Sequence, residues 1–183
     1  MNFHNIIKKY EIKYSHQNTR LIAIKDISKM EIAGEKIDSV EENNFLEVKN
    51  WIADELIKIG LAKLDSDKEK LNMVELQKTQ VKESMQSPRR FSTLPENFYP
   101  KTRKFLKELR SEANNDPVKM QILQKSKKLI TDIVSSRQGK ILILSSALEK
   151  DGNLLLNLSP EERSLYNTLH ETVNTWRDSV LNC

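Results

Sequence analysis

The hydrophobic rhythm of the chain changes partway along. Residues 20–24 (Arg-Leu-Ile-Ala-Ile) form a compact β-type run, and residues 30–34 alternate between apolar and polar. Residues 35–37 continue that alternation, residues 41–44 are a polar turn, and residues 45–48 (Phe-Leu-Glu-Val) are another short strand. Trp51, Ile52, Leu56, Ile57 and Ile59 then share one face of a short helix, which Gly60 is suited to stop. Residues 61–64 follow as a last strand. Ahead of these, residues 3–14 place Phe3, Ile6, Ile7, Tyr10 and Tyr14 at helical spacing, although Tyr10 to Tyr14 also alternates like a strand. Residues 20–64 thus predict a small sheet with one helix, a unit of roughly 45 residues that is marginal alone.

From Lys68 onward the pattern is helical. Leu71, Val74, Lys78, Val81 and Met85 define a first helix, and residues 86–90 (Gln-Ser-Pro-Arg-Arg) break it. LPENFYP, residues 94–100, starts the next. Proline is excluded from a helix interior, so the regular part is expected from Pro100, through Phe105, Leu106 and Leu109, to the capping cluster Asn114-Asn115-Asp116. Pro117 suits a first helical position. Ile122, Leu129, Ile133, Ser136, Lys140, Leu144 and Leu148 trace a stripe with steps of 7, 4, 3, 4, 4 and 4. The run Ile141-Leu142-Ile143-Leu144 has strand preferences, but the stripe passes straight through it and no pairing partner is in view. One helix of about thirty residues is expected, with Gly139 tolerated at about 1 kcal/mol. Ile141, Leu142 and Ile143 complete its circumference, and a helix apolar all round is a buried one. Ser159-Pro160-Glu161-Glu162 is a capping box that opens a last helix, along which Leu165, Leu169, Val173, Trp176 and Val180 step by 4, 4, 3 and 4. The fold class expected is mainly α. A helical bundle domain of four to five helices, residues 67–183, follows a small α+β domain with a short β-sheet module, residues 1–66.

Composition adds a constraint. Of 183 residues, 38% are hydrophobic and 31% charged, with only four Gly and five Pro. Such a chain has long helices and a lean core, which leaves room for a partner to supply part of the cover. The lone cysteine, Cys183, excludes a disulfide framework and a cysteine metal site and fits a reducing compartment. No apolar run approaches the roughly 20 residues of a membrane span, and the N-terminal MNFHNIIKKYEIKY is too charged for a signal-peptide core. A soluble, cytoplasmic protein is expected, with no membrane contact.

Charge is uneven. Residues 1–67 hold 10 Lys/Arg against 12 Asp/Glu (net −2), residues 68–140 hold 17 against 8 (+9), and residues 141–183 hold 3 against 6 (−3). A basic middle favours polyanions or an acidic partner, and reads equally as a set of solvated helix faces. Arg103, Lys104 and Lys107 share a face away from Phe105 and Leu109, and Arg89 and Arg90 precede them. These five are the candidate nucleic-acid contacts, for sequence-nonspecific binding only, since no helix-turn-helix, finger or stacking platform accompanies them. They motivate the alternative reading of a small basic nucleic-acid-binding protein acting on its own.

Catalytic chemistry has little to stand on. His4, His16 and His170 lie far apart, and His170 reads as a surface or interface histidine. No nucleophile elbow, phosphate loop or dinucleotide fingerprint is present. Glu161-Glu162 is explained by its place at a helix start. No catalytic, cofactor-binding or metal-ligating residue is predicted, no cofactor is implied, and the chain is not expected to be an enzyme.

Four segments in order carry a family resemblance. EVKNWIADELIKIGLAKL (residues 47–64), LPENFY (94–99), DIVSSRQGKIL (132–142) and LSPEERSLYNTL (158–169) resemble the small β-domain and the larger helical domain of the GINS replication complex. Lys49 departs from the pattern, which has a proline before the tryptophan segment. The order, small domain first, resembles the archaeal subunit related to the eukaryotic Psf-two and Psf-three proteins. The resemblance implies a non-catalytic scaffold, joined as a 2:2 heterotetramer to a sister subunit of reversed domain order. It further implies that the assembly bridges the MCM helicase to a RecJ-like protein, with at most weak DNA contact. The helical section holds more apolar surface than its roughly 115 residues need, and obligate interfaces cover such a surplus. Interface candidates are Leu94, Phe98, Tyr99, Ile141, Leu144, Leu148, Tyr166, Leu169, Val173 and Trp176. Trp51, Ile52 and Leu56 are the expected small-domain core.

Overall fold

The computed structural model describes residues 3–65, 71–113, 116–147 and 152–181. The chain divides into two compact units, one of residues 8–70 and the other of residues 1–7 and 71–183. The first helix, α1 (Phe3–Ser15), carries no buried residue. Its helical spacing therefore prevails over the alternation of Tyr10 to Tyr14.

In the smaller unit, β1 (Asn18–Ala23), β4 (Phe45–Lys49) and β5 (Ala62–Leu64) form an antiparallel sheet of order β4-β1-β5, and β2 (Met30–Ile32) pairs with β3 (Glu35–Ile37). Period-2 alternation sends Leu21, Ala23, Leu46 and Val48 to one face of the sheet. There they join Ile52, Ala53 and Leu56 of α2 (Asn50–Lys58), with Trp51 half-buried against them. The β2–β3 turn is Ala33-Gly34, with φ of 51° and 86°, the paired positive values that suit a two-residue hairpin. Gly60, at φ 73°, ends α2 as the pattern predicts: its N–H donates to Ile57 O and the Leu61 N–H to Leu56 O. Lys49 opens α2 without a side-chain cap, at φ −63°, a value proline itself adopts. The strand-to-helix turn thus forms without the proline.

The larger unit contains α3 (Met73–Ser84), α4 (Phe98–Glu112), α5 (Pro117–Ser145) and α6 (Pro160–Leu181). The long α5 packs against α3, α4 and α6. Ile141 to Leu144 is helical, because α5 is continuous for 29 residues. Asp116 caps it by accepting from the Val118 and Lys119 amides, with Pro117 at the first helical position. Asn114 and Asn115 lie outside the described residues.

Three expectations are corrected here. First, α4 begins at Phe98, two residues ahead of Pro100. Proline is tolerated throughout a first turn, where the amides have no intrahelical acceptor. Second, α5 is not buried all round: Ile141 is 1% exposed, but Leu142 and Ile143 are each 47% exposed. Third, of the stripe that defines α3 in the sequence only Leu71, just ahead of the helix, is buried. Leu76, Thr79 and Glu83 point inward, while Val74, Val81 and Met85 are exposed.

Candidate functional site

Two apolar clusters fill the helical unit. Leu71, Leu76, Phe98, Ile130 and Ile133 form one, and Phe91, Ile141, Leu144, Leu158 and Tyr166 the other. Along α5 they are separated by one turn on each side of Arg137, which has no exposed surface. A buried guanidinium is tolerated only when its charge is paired and its N–H groups are bonded. Here all five are. Nε donates to Glu162 Oε1 at 2.5 Å, Nη1 to Glu83 Oε2 at 2.8 Å and Ser92 O at 3.0 Å, and Nη2 to Glu162 Oε2 at 2.7 Å and Asn157 O at 2.8 Å. Phe91 lies beneath the guanidinium, with its centroid 5.0 Å from Cζ.

The carboxylates are bonded as well. Glu162 also accepts from Tyr99 Oη–H at 2.6 Å and the Ser159 amide at 2.9 Å. Glu83 accepts from Lys140 Nζ at 2.5 Å and from the Ser92 amide and hydroxyl at 3.1 and 2.7 Å. Each carboxylate thus receives four hydrogen bonds. Two cations face two anions, so the network carries no net charge. The network joins α3 through Glu83, α4 through Tyr99, α5 through Arg137 and Lys140, and α6 through Glu162. It also fixes the chain at Ser92 and Asn157.

Electrostatics follow from this geometry. Burial pushes the Glu83 carboxyl up, but the Lys140 and Ser92 hydrogen bonds and the Arg137 charge outweigh it, so Glu83 is held below the usual carboxylate value. Burial would lower the proton affinity of Arg137; the hydrogen bonds and charge of Glu162, with Glu83, reverse that. Tyr99 is pushed above its usual value by burial and then by the Glu162 charge. The Glu162 role goes beyond the sequence reading. The capping box does form, with the Glu162 amide donating to Ser159 Oγ at 3.2 Å, but the same side chain is also the main partner of Arg137. The signal available was position: Arg137 is four residues after Ile133 and four before Ile141, in the buried stripe where the pattern used Ser136.

α5 and α6 run in the same direction, since Arg137 meets Glu162 and Ser145 meets His170. His170 is a buried residue, 6% exposed, and not a surface one. Its Nδ1–H donates to Ser145 O at 3.2 Å, which leaves Nε2 to accept from Asn174 Nδ2 at 3.0 Å; its ring stacks on Tyr166. Arg177 Nη2 donates to Ser146 O at 3.0 Å. These contacts satisfy carbonyls at the C-terminus of α5 that the helix leaves open.

The candidate interface residues separate accordingly. Phe98, Ile141, Leu144 and Tyr166 are buried within the chain, so its own core covers them. Leu94, Tyr99, Leu169 and Val173 are half-buried, and Leu148 lies outside the described residues. Trp176 is 67% exposed, with Val180 and Leu181 at 54% and 72%. The reason is the phase of α6. Glu162, Tyr166 and His170 face the bundle, so the stripe of Leu165, Leu169, Val173, Trp176 and Val180 runs along its flank. Leu165 and Leu169 still pack on the second cluster, but α6 continues past the end of α5 and the later rungs do not. Among the candidate nucleic-acid contacts, Arg89, Arg90 and Lys107 are exposed, while Arg103 and Lys104 are half-buried. In the smaller unit, Ile52 and Leu56 are core residues and Trp51 flanks them.

None of the described helices is long and apolar enough to cross a membrane. A family model described as the GINS complex protein helical bundle domain matches residues 64–181, more than half of the chain, and spans α3 to α6. No curated protein matches the chain.

Proposed function

This chain belongs to the GINS complex family, and from that premise we propose that it is a non-catalytic scaffolding subunit of a replication assembly. Two copies join two copies of a sister subunit of reversed domain order. The tetramer bridges the MCM helicase to a RecJ-like protein, in the cytoplasm and with at most weak DNA contact. Residues 1–66 act as the small domain and residues 67–183 as the helical domain, the arrangement of the archaeal Psf-two/Psf-three type. The observation that most supports this reading is the uncovered apolar end of α6, where Trp176, Val180 and Leu181 are each more than half exposed. Val173 and Trp176 are the residues expected to carry the sister contact, with Leu169 at its margin. An exposed tryptophan among aliphatic side chains has the composition of an interface anchor.

The test is co-purification with a sister chain of reversed domain order, followed by light scattering. A mass of two plus two is expected, and Trp176→Ala should reduce assembly at least tenfold. MCM helicase and RecJ-like protein should be retained together only by the complete tetramer. A monodisperse monomer that ignores the sister chain would refute the reading.

A further inference from the structure

α3 has its amphipathicity reversed. Of the three residues it buries, Thr79 and Glu83 are polar, and they are inside because the Arg137–Lys140 pair requires Glu83 there. Its apolar residues point the other way. Val74, Val81 and Met85 are 57%, 47% and 78% exposed. Steps of 7 and 4 put them on one side of the helix. Among the described residues, α3 is held by its opposite face. Lys78 sits between Val74 and Val81, and its methylene stem extends the apolar strip.

The charge around this strip has one dominant sign. Lys78 and Lys82 on the helix, and Arg89 and Arg90 in the turn after it, are all exposed. Of the helix's acidic residues, Glu83 is buried and Glu75 is half-buried. A strip of knobs at helical spacing with a cationic margin is complementary to a second helix whose apolar seam is edged by Asp and Glu. Methionine at the most exposed position adapts to an irregular partner. A nucleic acid would use the cations through its phosphates but has no comparable use for Val74, Val81 and Met85. We propose that the outward face of α3, with the turn that follows it, is a docking site for an acidic-edged amphipathic helix of a partner protein. This site lies on a different helix from the α6 end, and it requires that the outward face of α3 stay outside the sister contact.

The test uses the full chain and a fluorescein-labelled synthetic peptide of about twenty residues, long enough to form a helix. The peptide has Leu and Val at three- and four-residue spacing, flanked by Glu; the control has Lys in place of every Glu. Anisotropy titration should show saturable binding of the acidic peptide, at least tenfold tighter than the control and weaker as salt rises. Val81→Asp and Met85→Asp should each weaken binding at least tenfold, and so should the pair Lys78→Glu/Lys82→Glu, with helix content and Tm unchanged because these positions are exposed. Five results overturn the proposal. These are no saturable binding, equal binding of both peptides, and indifference to Val81→Asp and Met85→Asp. The fourth is a DNA duplex binding more tightly than the peptide through Lys78 and Lys82 alone. The fifth is loss of peptide binding in the assembled sister complex, since α3 would then be part of the subunit seam.

Discussion

Replacing Arg137 by alanine should destabilise the helical unit more than any other single truncation of a polar side chain. The variant removes five hydrogen bonds at once and takes from Glu162, 4% exposed, the only cation paired with it among the described residues. Glu83 keeps Lys140, but Glu162 keeps only the Tyr99 hydroxyl and the Ser159 amide. Breaking a buried ion pair by removing one partner costs about 3–5 kcal/mol. At about 2–4 °C per kcal/mol for a chain of this size, Tm should fall by about 6–20 °C. Urea unfolding of the full chain, followed by circular dichroism, measures the change directly as a shift of midpoint at constant slope. The cause can be isolated with a second background. In Glu83→Gln/Glu162→Gln, where no carboxylate remains to be orphaned, Arg137→Ala should cost clearly less than in the native chain. Arg137→Lys, with three donors in place of five, should fall between Arg and Ala. A loss under about 1 kcal/mol for Arg137→Ala, or an equal loss in both backgrounds, would refute the argument, because paired charge would then contribute nothing beyond side-chain shape.

The depressed Glu83 carboxyl predicts acid sensitivity. Its folded value lies below its unfolded one, about 4.3, so its contribution is complete above that pH and is lost as pH falls through the folded value. Urea midpoints taken between about pH 7 and pH 3 should therefore decline at the acid end, and Glu83→Gln should flatten that decline. Ser159→Ala removes the acceptor of the Glu162 amide and should cost about 1 kcal/mol in the same assay. Gly139→Ala should stabilise the chain by about 0.5–1 kcal/mol, since a Cβ there meets no atom within 4 Å outside its own helix; a loss would show hidden crowding. Trp176→Ala should change the stability of the isolated chain by less than about 0.5 kcal/mol, because the side chain is 67% exposed, so any effect on assembly is separable from folding.

Local rules carried much of the fold. The strands at Leu21 and Leu46, the stop at Gly60, the cap at Asp116 and the box at Ser159 are each decided by residues within one or two turns of one another. α5 was legible for the same reason: the stripe through Ile133, Lys140 and Leu144 outweighed the strand preference of Ile141 to Leu144. The phase of α3 was not legible. An apolar stripe normally marks the buried side, and nothing near Glu83 in sequence announces that a guanidinium 54 residues later will draw it inward. The interface candidates divided on similar grounds. Phe98, Ile141, Leu144 and Tyr166 have the composition of either core or contact, and only the packing around Phe91 and Ile133 assigns them to the core.

By itself, then, the order of residues determined most of the helices and strands, several of their stops and caps, and that the helical part has apolar surface to spare. Those outcomes depend on hydrogen bonds and side-chain spacings within a few residues. Only tertiary structure decided which sides of α3 and α6 are left to solvent. Burying Arg137 demands two carboxylates from distant helices, and satisfying that charge rotates both helices until Glu83 and Glu162 face it.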